Sequence, residues 1–290
     1  MKSFAENRIF STNQTLNIRG RLVLLDTPKV MGILNVTPDS FYDGGRYHGQ
    51  DAIINHVEKM IEHGATFVDV GGYSTRPGAV DVPLAEEVRR VTDAVQLIAR
   101  KFPDIIISVD TYRSKVAEAA IGEGAGMIND VSGGSLDDQM FSIAGRMGVP
   151  YILMHMRGTP ATMSTLTDYP NLLKDITDYF HQKIRSLHEH GVKDIIVDPG
   201  FGFAKKADQS FALLHKLDYL KILGKPLMAG ISRKSMIWRT LAISADEALN
   251  GTTCLNTIAL MQGASILRVH DVQQATEVCK LFTLVTTSQG

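Results

Sequence analysis

Short apolar runs recur along the whole chain, at 30–35, 67–71, 105–110, 127–130, 151–155, 195–199, 227–231 and 266–269. They are nearly continuous rather than alternating, the pattern of strands buried on both faces in a parallel sheet. Amphipathic segments lie between them. Ile53, Ile54, Val57, Met60 and Ile61 share one helical face, and Gly64 sits where a helix would stop. Leu84, Val88, Val91, Val95 and Ile98 make a second stripe after Pro83. Leu173, Ile176, Phe180, Ile184 and Leu187 make a third, closed by Gly191, and Val272, Ala275, Val278 and Phe282 make the last.

Eight strand–helix units without a linker or repeat predict an α/β chain folded as a single TIM (β/α)8 barrel over residues 30–290. The alternative is an open doubly wound sheet, but no GxGxxG follows any strand. Residues 1–29 fall outside the count and predict an N-terminal β-hairpin extension, with 8–10 and 16–18 as its strands, packed as a plug on the barrel bottom.

Composition narrows the function classes. The 290 residues are 44% hydrophobic and 21% charged, which allows a sizeable core and excludes a mainly disordered chain. A net charge of −1 supplies no global field for nucleic acid, so any anion site must be local. No apolar run is long enough to span a bilayer, and the first residues lack a signal-peptide core. A cytoplasmic protein without nucleic-acid or membrane partners is expected. Cys254 and Cys279 lack ligand spacing and read as two reduced, buried thiols.

A barrel carries its chemistry where strands run into the following loops, and the unusual residues of this chain fall there. The first strand ends at Asn35 and leads to Asp39, and the second leads to Thr75 and Arg76. Asp110 ends the third strand, Asn129 lies at the end of the fourth and Met154 at the end of the fifth. Asp198 ends the sixth before Pro199-Gly200 and Phe203; Lys234 and Ser235 follow the seventh; Arg268 and His270 bracket the end of the eighth.

Singly, each has a structural reading: Asp39 or Ser235 as a helix cap, Asp198 as a turn residue, Asn129-Asp130 as a satisfied loop pair. Together they would converge on one mouth, where unpaired burial is costly, so the cluster calls for a polar, anionic ligand. Asp110, Asn129 and Asp198 are acceptors for the N–H edge of a flat heterocycle, with Met154 and Phe203 as apolar walls. Arg76, Arg268 and His270 are donors for phosphate oxygens. Ser235 would open a helix whose first N–H groups suit an anion. Gly122-Glu-Gly124-Ala-Gly126 is not a dinucleotide loop, and His188-Glu189-His190 lacks the spacing of a zinc site.

Five segments in this order resemble the dihydropteroate synthase family: Met31-Gly-Ile-Leu-Asn-Val-Thr-Pro-Asp-Ser-Phe41, Ser74-Thr-Arg-Pro-Gly78, Asp198-Pro-Gly-Phe-Gly-Phe203, Ser232-Arg-Lys-Ser235 and Arg268-Val-His-Asp271. The resemblance runs from about Val30 to Asp271. It implies a transferase of folate biosynthesis that joins 6-hydroxymethyl-7,8-dihydropterin pyrophosphate to para-aminobenzoate, a magnesium cofactor, sulfonamides as competitors, and a homodimer. It implies that Asp198 faces the pterin 2-amino and N3–H edge and that Asp110 and Asn129 take other ring positions. Lys234 would reach the oxo side of the ring, with Met154 and Phe203 along its walls. Thr75, Arg76, Arg268 and His270 match pyrophosphate contacts, Asn35 and Asp39 the metal, and Ser235 the aminobenzoate carboxylate. Asp110, Lys234, Arg268 and His270 are the candidate catalytic residues.

Two positions depart from the pattern. Tyr73 stands where many members have Glu, and Trp238 has no family counterpart: it either shapes the aminobenzoate entrance or packs at a subunit contact. The alternative function is a pterin-binding methyltransferase barrel, against which the 232–235 and 35–41 segments argue, because methyl transfer needs neither a pyrophosphate nor an aminobenzoate pocket.

Overall fold

A computed structural model describes residues 14–36, 46–73 and 82–288. The chain first forms a hairpin of β1 (Thr15–Ile18) and β2 (Arg21–Leu24), antiparallel, with Ile18 opposite Arg21. The expected hairpin therefore exists, but the partner of Leu16–Ile18 is the segment after it; residues 8–10 lie outside the described residues. Arg19 (φ 53°) and Gly20 (φ 82°) form the two-residue turn, whose left-handed dihedrals match the twist of the strands.

The eight parallel strands follow: β3 (Lys29–Asn35), β4 (Phe67–Gly71), β5 (Ile106–Asp110), β6 (Met127–Asp130), β7 (Tyr151–Met154), β8 (Ile195–Asp198), β9 (Met228–Ala229) and β10 (Ile266–Val269). Each pairs with its sequence neighbour from β3 to β8, and β10 lies between β9 and β3. A parallel bridge between Val197 and Leu227 joins β8 to the segment entering β9, so the sheet returns on itself. The barrel expected from the sequence is the barrel observed. Strand β9 keeps only two residues because the chain leaves the ladder early, to turn through Arg233 (φ 54°).

Helices surround the strands: α1 (Arg46–Glu62), α2 (Leu84–Lys101), α3 (Ser114–Glu123), α4 (Met140–Met147), α5 (Leu172–Glu189), α6 (Ala207–His215), α7 (Ser235–Leu241), α8 (Leu249–Met261) and α9 (Val272–Thr287). The stripes expected from the sequence face inward, with Ile53, Val57 and Met60 of α1 and Val91, Val95 and Ile98 of α2 buried; Leu84, at the first turn of α2, is exposed. Cysteine is the other departure, for Cys279 is buried but Cys254 is exposed on α8.

The core has two compartments. One lies between strands and helices. The other fills the barrel bottom, where Leu16, Ile18, Val23 and Leu25 from the hairpin segment meet one apolar residue from each barrel strand: Met31, Phe67, Ile106, Met127, Ile152, Ile196, Met228 and Ile266. Each buried side chain contributes roughly 1.5–3 kcal/mol. The closed bottom leaves the C-terminal mouth as the place for polar residues.

Candidate active site

Strand register lines up the polar residues in rows. Asn35 is level with Gly71, Gly71 with Asp110, and Asp110 with Asn129. One layer deeper, Asp69 is level with Ile33 and Ser108. Asp69 and Gly71, two apart on one strand, share a face, so Asp69 lies beneath the mouth and is fully buried. Across the barrel, Met154 is level with Asp198.

Arg268 ties these layers together. Its Nε donates to Asp69 Oδ2 at 2.6 Å and its Nη2 to Asp110 Oδ2 at 2.5 Å, while Asn129 Nδ2 donates to the same Asp69 oxygen at 2.8 Å. One guanidinium thus faces two carboxylates. Burial pushes the Asp110 carboxyl up to about 7 against the pull of Arg268, and Asp69, Asp130 and Glu87 push the same way. Burial opposes the charge on Arg268, but Asp69 and Asp110 outweigh it and hold its pKa above the usual arginine range.

The opposite wall is built from the loop after β8. Asp198 Oδ1 accepts the Gly200 N–H at 2.8 Å. Gly200 (φ 68°) packs so closely on the His155 carbonyl that a Cβ would collide with it, so the turn requires glycine. Asp198 Oδ2 points elsewhere: a Cβ on Gly230 would lie 3.5 Å from it and 3.8 Å from Lys234 Nζ. Lys234 donates to the Phe201 carbonyl at 2.7 Å and its ammonium sits 4.7 Å from the Phe203 ring centroid. Burial raises the Asp198 pKa, with Lys234 pulling it back, and burial lowers that of Lys234 to about 8.

These groups line one cavity of about 450 Å³, which also takes in Asn35, Tyr73, Asn129, Met154, Phe203, Ser235 and His270. Val131, Met154 and Met163 form its apolar wall, backed by Met156 and with Phe203 packed against them. His270 Nδ1 lies 3.0 Å from Ser232 Oγ, which also accepts the His270 N–H at 3.2 Å. Of the residues singled out in the sequence, Asn35, Asp110, Asn129, Met154, Asp198, Phe203, Lys234, Ser235, Arg268 and His270 come together here. Asp39, Thr75 and Arg76 lie outside the described residues. Asp130 points the other way, accepting from Tyr151 Oη at 2.5 Å and from the Ser132 and Gly134 N–H groups at 2.7 Å. His188 and His190 bond to backbone carbonyls around the end of α5, as a structural helix terminus would.

Sequence reasoning missed three supports. Asp69 was legible as an acid inside the apolar run Phe67-Val68-Asp69-Val70, which demands a buried partner. Arg233 clamps Asp271 through two bonds, at 2.9 and 2.6 Å, tying the loop that carries Lys234 to the one that carries His270. Lys205 is buried and donates to His155 Nδ1 at 2.8 Å and to the Gly200 and Phe203 carbonyls, both at 3.0 Å. Burial, then Lys205 itself, pushes the His155 ring well below its ordinary pKa, so the ring is neutral and accepts. A lone lysine after Phe203-Ala204 carries no pattern that would have marked it.

The pterin binding enzyme family matches residues 31–270. The dihydropteroate synthase of Synechocystis sp. is 44% identical over 257 residues, covering 87% of this chain and 88% of that one. The Escherichia coli K12 dihydropteroate synthase is 40% identical over 265 residues, covering 91% and 93%. Among solved structures, the Yersinia pestis dihydropteroate synthase in a sulfonamide drug complex superposes with a TM-score of 0.89 at 38% identity, over 95% of this chain and all of that one. The Xanthomonas albilineans enzyme with 4-aminobenzoic acid gives 0.88 at 35% identity, over 95% and 99%. A barrel whose mouth gathers these acceptors and cations, with relatives this similar over nearly its full length, belongs to the pterin-binding enzyme family and within it to the dihydropteroate synthases, transferases of folate biosynthesis.

Proposed function

We propose that the cavity holds 6-hydroxymethyl-7,8-dihydropterin pyrophosphate with its ring on the floor and para-aminobenzoate at the rim, and joins them into 7,8-dihydropteroate. The observation that carries this reading is the lining of one cavity, which brings the carboxylates and amide Asp110, Asn129 and Asp198 together with Met154, Phe203, Ser235 and the cations Lys234 and Arg268. The floor offers acceptors to ring N–H groups, with Lys234 for an oxo group and Met154 and Phe203 along the ring faces. Arg268 and His270, with Thr75 and Arg76, would meet the pyrophosphate. Helix α7 has seven residues, so the Ser235 hydroxyl, rather than the field of a long helix, is the group offered to the aminobenzoate carboxylate.

In the reaction the methylene–oxygen bond breaks with its electron pair leaving on pyrophosphate. The amine lone pair forms the new carbon–nitrogen bond, and the amine proton passes to solvent or phosphate. An aromatic amine is neutral at pH 7, so no strong base is required; stabilising the departing charge is the harder task. Asp110, ionised, would stabilise positive charge left on the ring.

Magnesium fits the donors present. A Cβ on Gly71 would lie 3.8 Å from Asn35 Oδ1, which places this oxygen at the mouth beside Asp110, whose Oδ2 accepts from Arg268. Among the described residues there is no cluster of three or more His, Cys, Asp or Glu. Magnesium keeps several waters and draws ligands from phosphates, so Asn35 and Asp39 are the protein's proposed share. Bound there, it would neutralise charge on the pyrophosphate. The test is stoichiometric release of pyrophosphate and dihydropteroate from the two substrates. Chelation should abolish it, added Mg²⁺ should restore it, and Asn35→Ala should raise the Mg²⁺ needed for half-maximal rate. No condensation with both substrates and Mg²⁺ present would remove the proposed reaction, and full activity after exhaustive metal removal would remove the ion.

A homodimer is the proposed assembly. Leu281, Leu284 and Val285 form an exposed apolar stripe on α9, which packs beside α8 with its exposed Met261; a stripe of this kind fits a second copy. Sedimentation giving a monomer mass at micromolar concentration would exclude it. Two free cysteines fit the proposed cytoplasmic location, and among the described residues no helix is long and apolar enough to cross a membrane.

A further inference from the structure

Trp238 lies three residues beyond Ser235 on α7, one turn along the same helical face. Both line the cavity, and Arg239 lines it too. The indole is half-buried: part of it packs on the core around the barrel, and the Arg239 guanidinium lies 5.0 Å from its ring centroid. Among the described residues no carboxylate pairs with Arg239, which is exposed. The cavity lining thus includes an aromatic plane carrying a cation that no carboxylate among the described residues pairs with.

We propose that Trp238, with Arg239 held over its ring, forms the arylamine-selecting wall of the site, which favours flat arylamines carrying an anionic para substituent. The assignment rests on the proposed reading that the second substrate docks beside Ser235. The indole supplies a rigid face for the benzene ring. Arg239 supplies charge for the carboxylate from outside the helix terminus, so a neutral para group loses that attraction. A saturated-ring amine with no aromatic face loses the contact with the indole.

The experiment is steady-state kinetics on the full chain with three variants. Trp238→Leu keeps bulk and core packing but removes the aromatic face, Arg239→Gln removes the charge, and Ser235→Ala tests the underlying reading. Trp238→Leu is expected to raise the KM for para-aminobenzoate about fivefold to tenfold, with the pterin KM moving less than about twofold; Trp238→Phe should recover most of the loss. Arg239→Gln should narrow the preference for para-aminobenzoate over the neutral para-aminobenzamide. The chain has one tryptophan, so its emission reports on this wall alone. A sulfonamide with pyrophosphate and Mg²⁺ should shield that emission from acrylamide. If Ser235→Ala raises the aminobenzoate KM and Trp238→Leu does not, the wall is disproved and the docking place stands. If neither variant changes it, the docking place itself is wrong. Equal effects of Trp238→Leu on both substrates would make Trp238 a packing residue and overturn the proposal.

Discussion

Replacing Asp198 with Asn is expected to weaken the pterin substrate at least about tenfold while the melting temperature changes little. The two oxygens of this carboxylate have separate tasks. Oδ1 holds the Gly200 N–H, and Oδ2 faces the space shared with the Lys234 ammonium. An asparagine can keep the turn by placing its carbonyl on Gly200, but its NH₂ then points into the cavity. A pterin N–H would meet another N–H, leaving a buried donor unpaired at a cost of about 1–3 kcal/mol. Loss of the negative charge also leaves Lys234 with less to offset its burial. Since about 1.4 kcal/mol is one decade of affinity, a tenfold loss is the lower bound. The competing view is that Asp198 only caps the Pro199-Gly200 turn. Calorimetric pterin affinity and thermal melting, measured on one preparation, separate the two: a destabilised variant with unchanged affinity would leave Asp198 as a turn residue.

The barrel was legible because each strand is a short apolar run buried on both faces, and periodicity reports burial directly. The hairpin was half legible. Leu16 and Ile18 stand out as apolar, but the sequence signal for their partner was the Arg19-Gly20 turn, and Arg is not a residue type that announces a left-handed dihedral. Acceptors at strand ends, such as Asp110 and Asn129, could be located because the barrel makes strand ends converge. What could not be read was which of them face each other. Asp69 was passed over because it stands two residues short of its strand end, and only register shows that it supports Arg268 from below. The His155 partner of Lys205 and the Asp271 partner of Arg233 lie tens of residues away on separate loops, and the nearer Gly200 and Phe203 partners are backbone carbonyls that any residue offers, so neither support leaves a local pattern. The segments with Asp39, Thr75 and Arg76 match the family by residue type, and their part in the site stays a proposal.

Replacing Arg268 with Met is expected to cut turnover by about 10²–10³-fold, the range found when one preorganised donor to a developing negative charge is removed. It should also cost stability in a pH-dependent way. Among the described residues Arg268 is the cation bonded to both Asp69 and Asp110, and removing one partner of a buried ion pair typically costs about 3–5 kcal/mol. The sign of the pH effect follows from Asp110. Its folded pKa, about 7, already lies above its ordinary value, so its ionisation in the folded state is a cost that appears as pH rises toward 7. Arg268 is what pulls that value down, and without it the folded pKa moves higher still. Near pH 5 Asp110 is protonated in both proteins, and its share of the deficit vanishes. Above about pH 7 the wild type ionises into a pair with Arg268 while the variant must stay protonated or carry an uncompensated charge. The gap in melting temperature between wild type and variant should therefore widen from pH 5 to pH 8, and Arg268→Lys, which keeps the charge but not the two-pronged fork, should fall between them. A gap independent of pH would mean that Arg268 contributes packing alone and that the charge on Asp110 is set elsewhere.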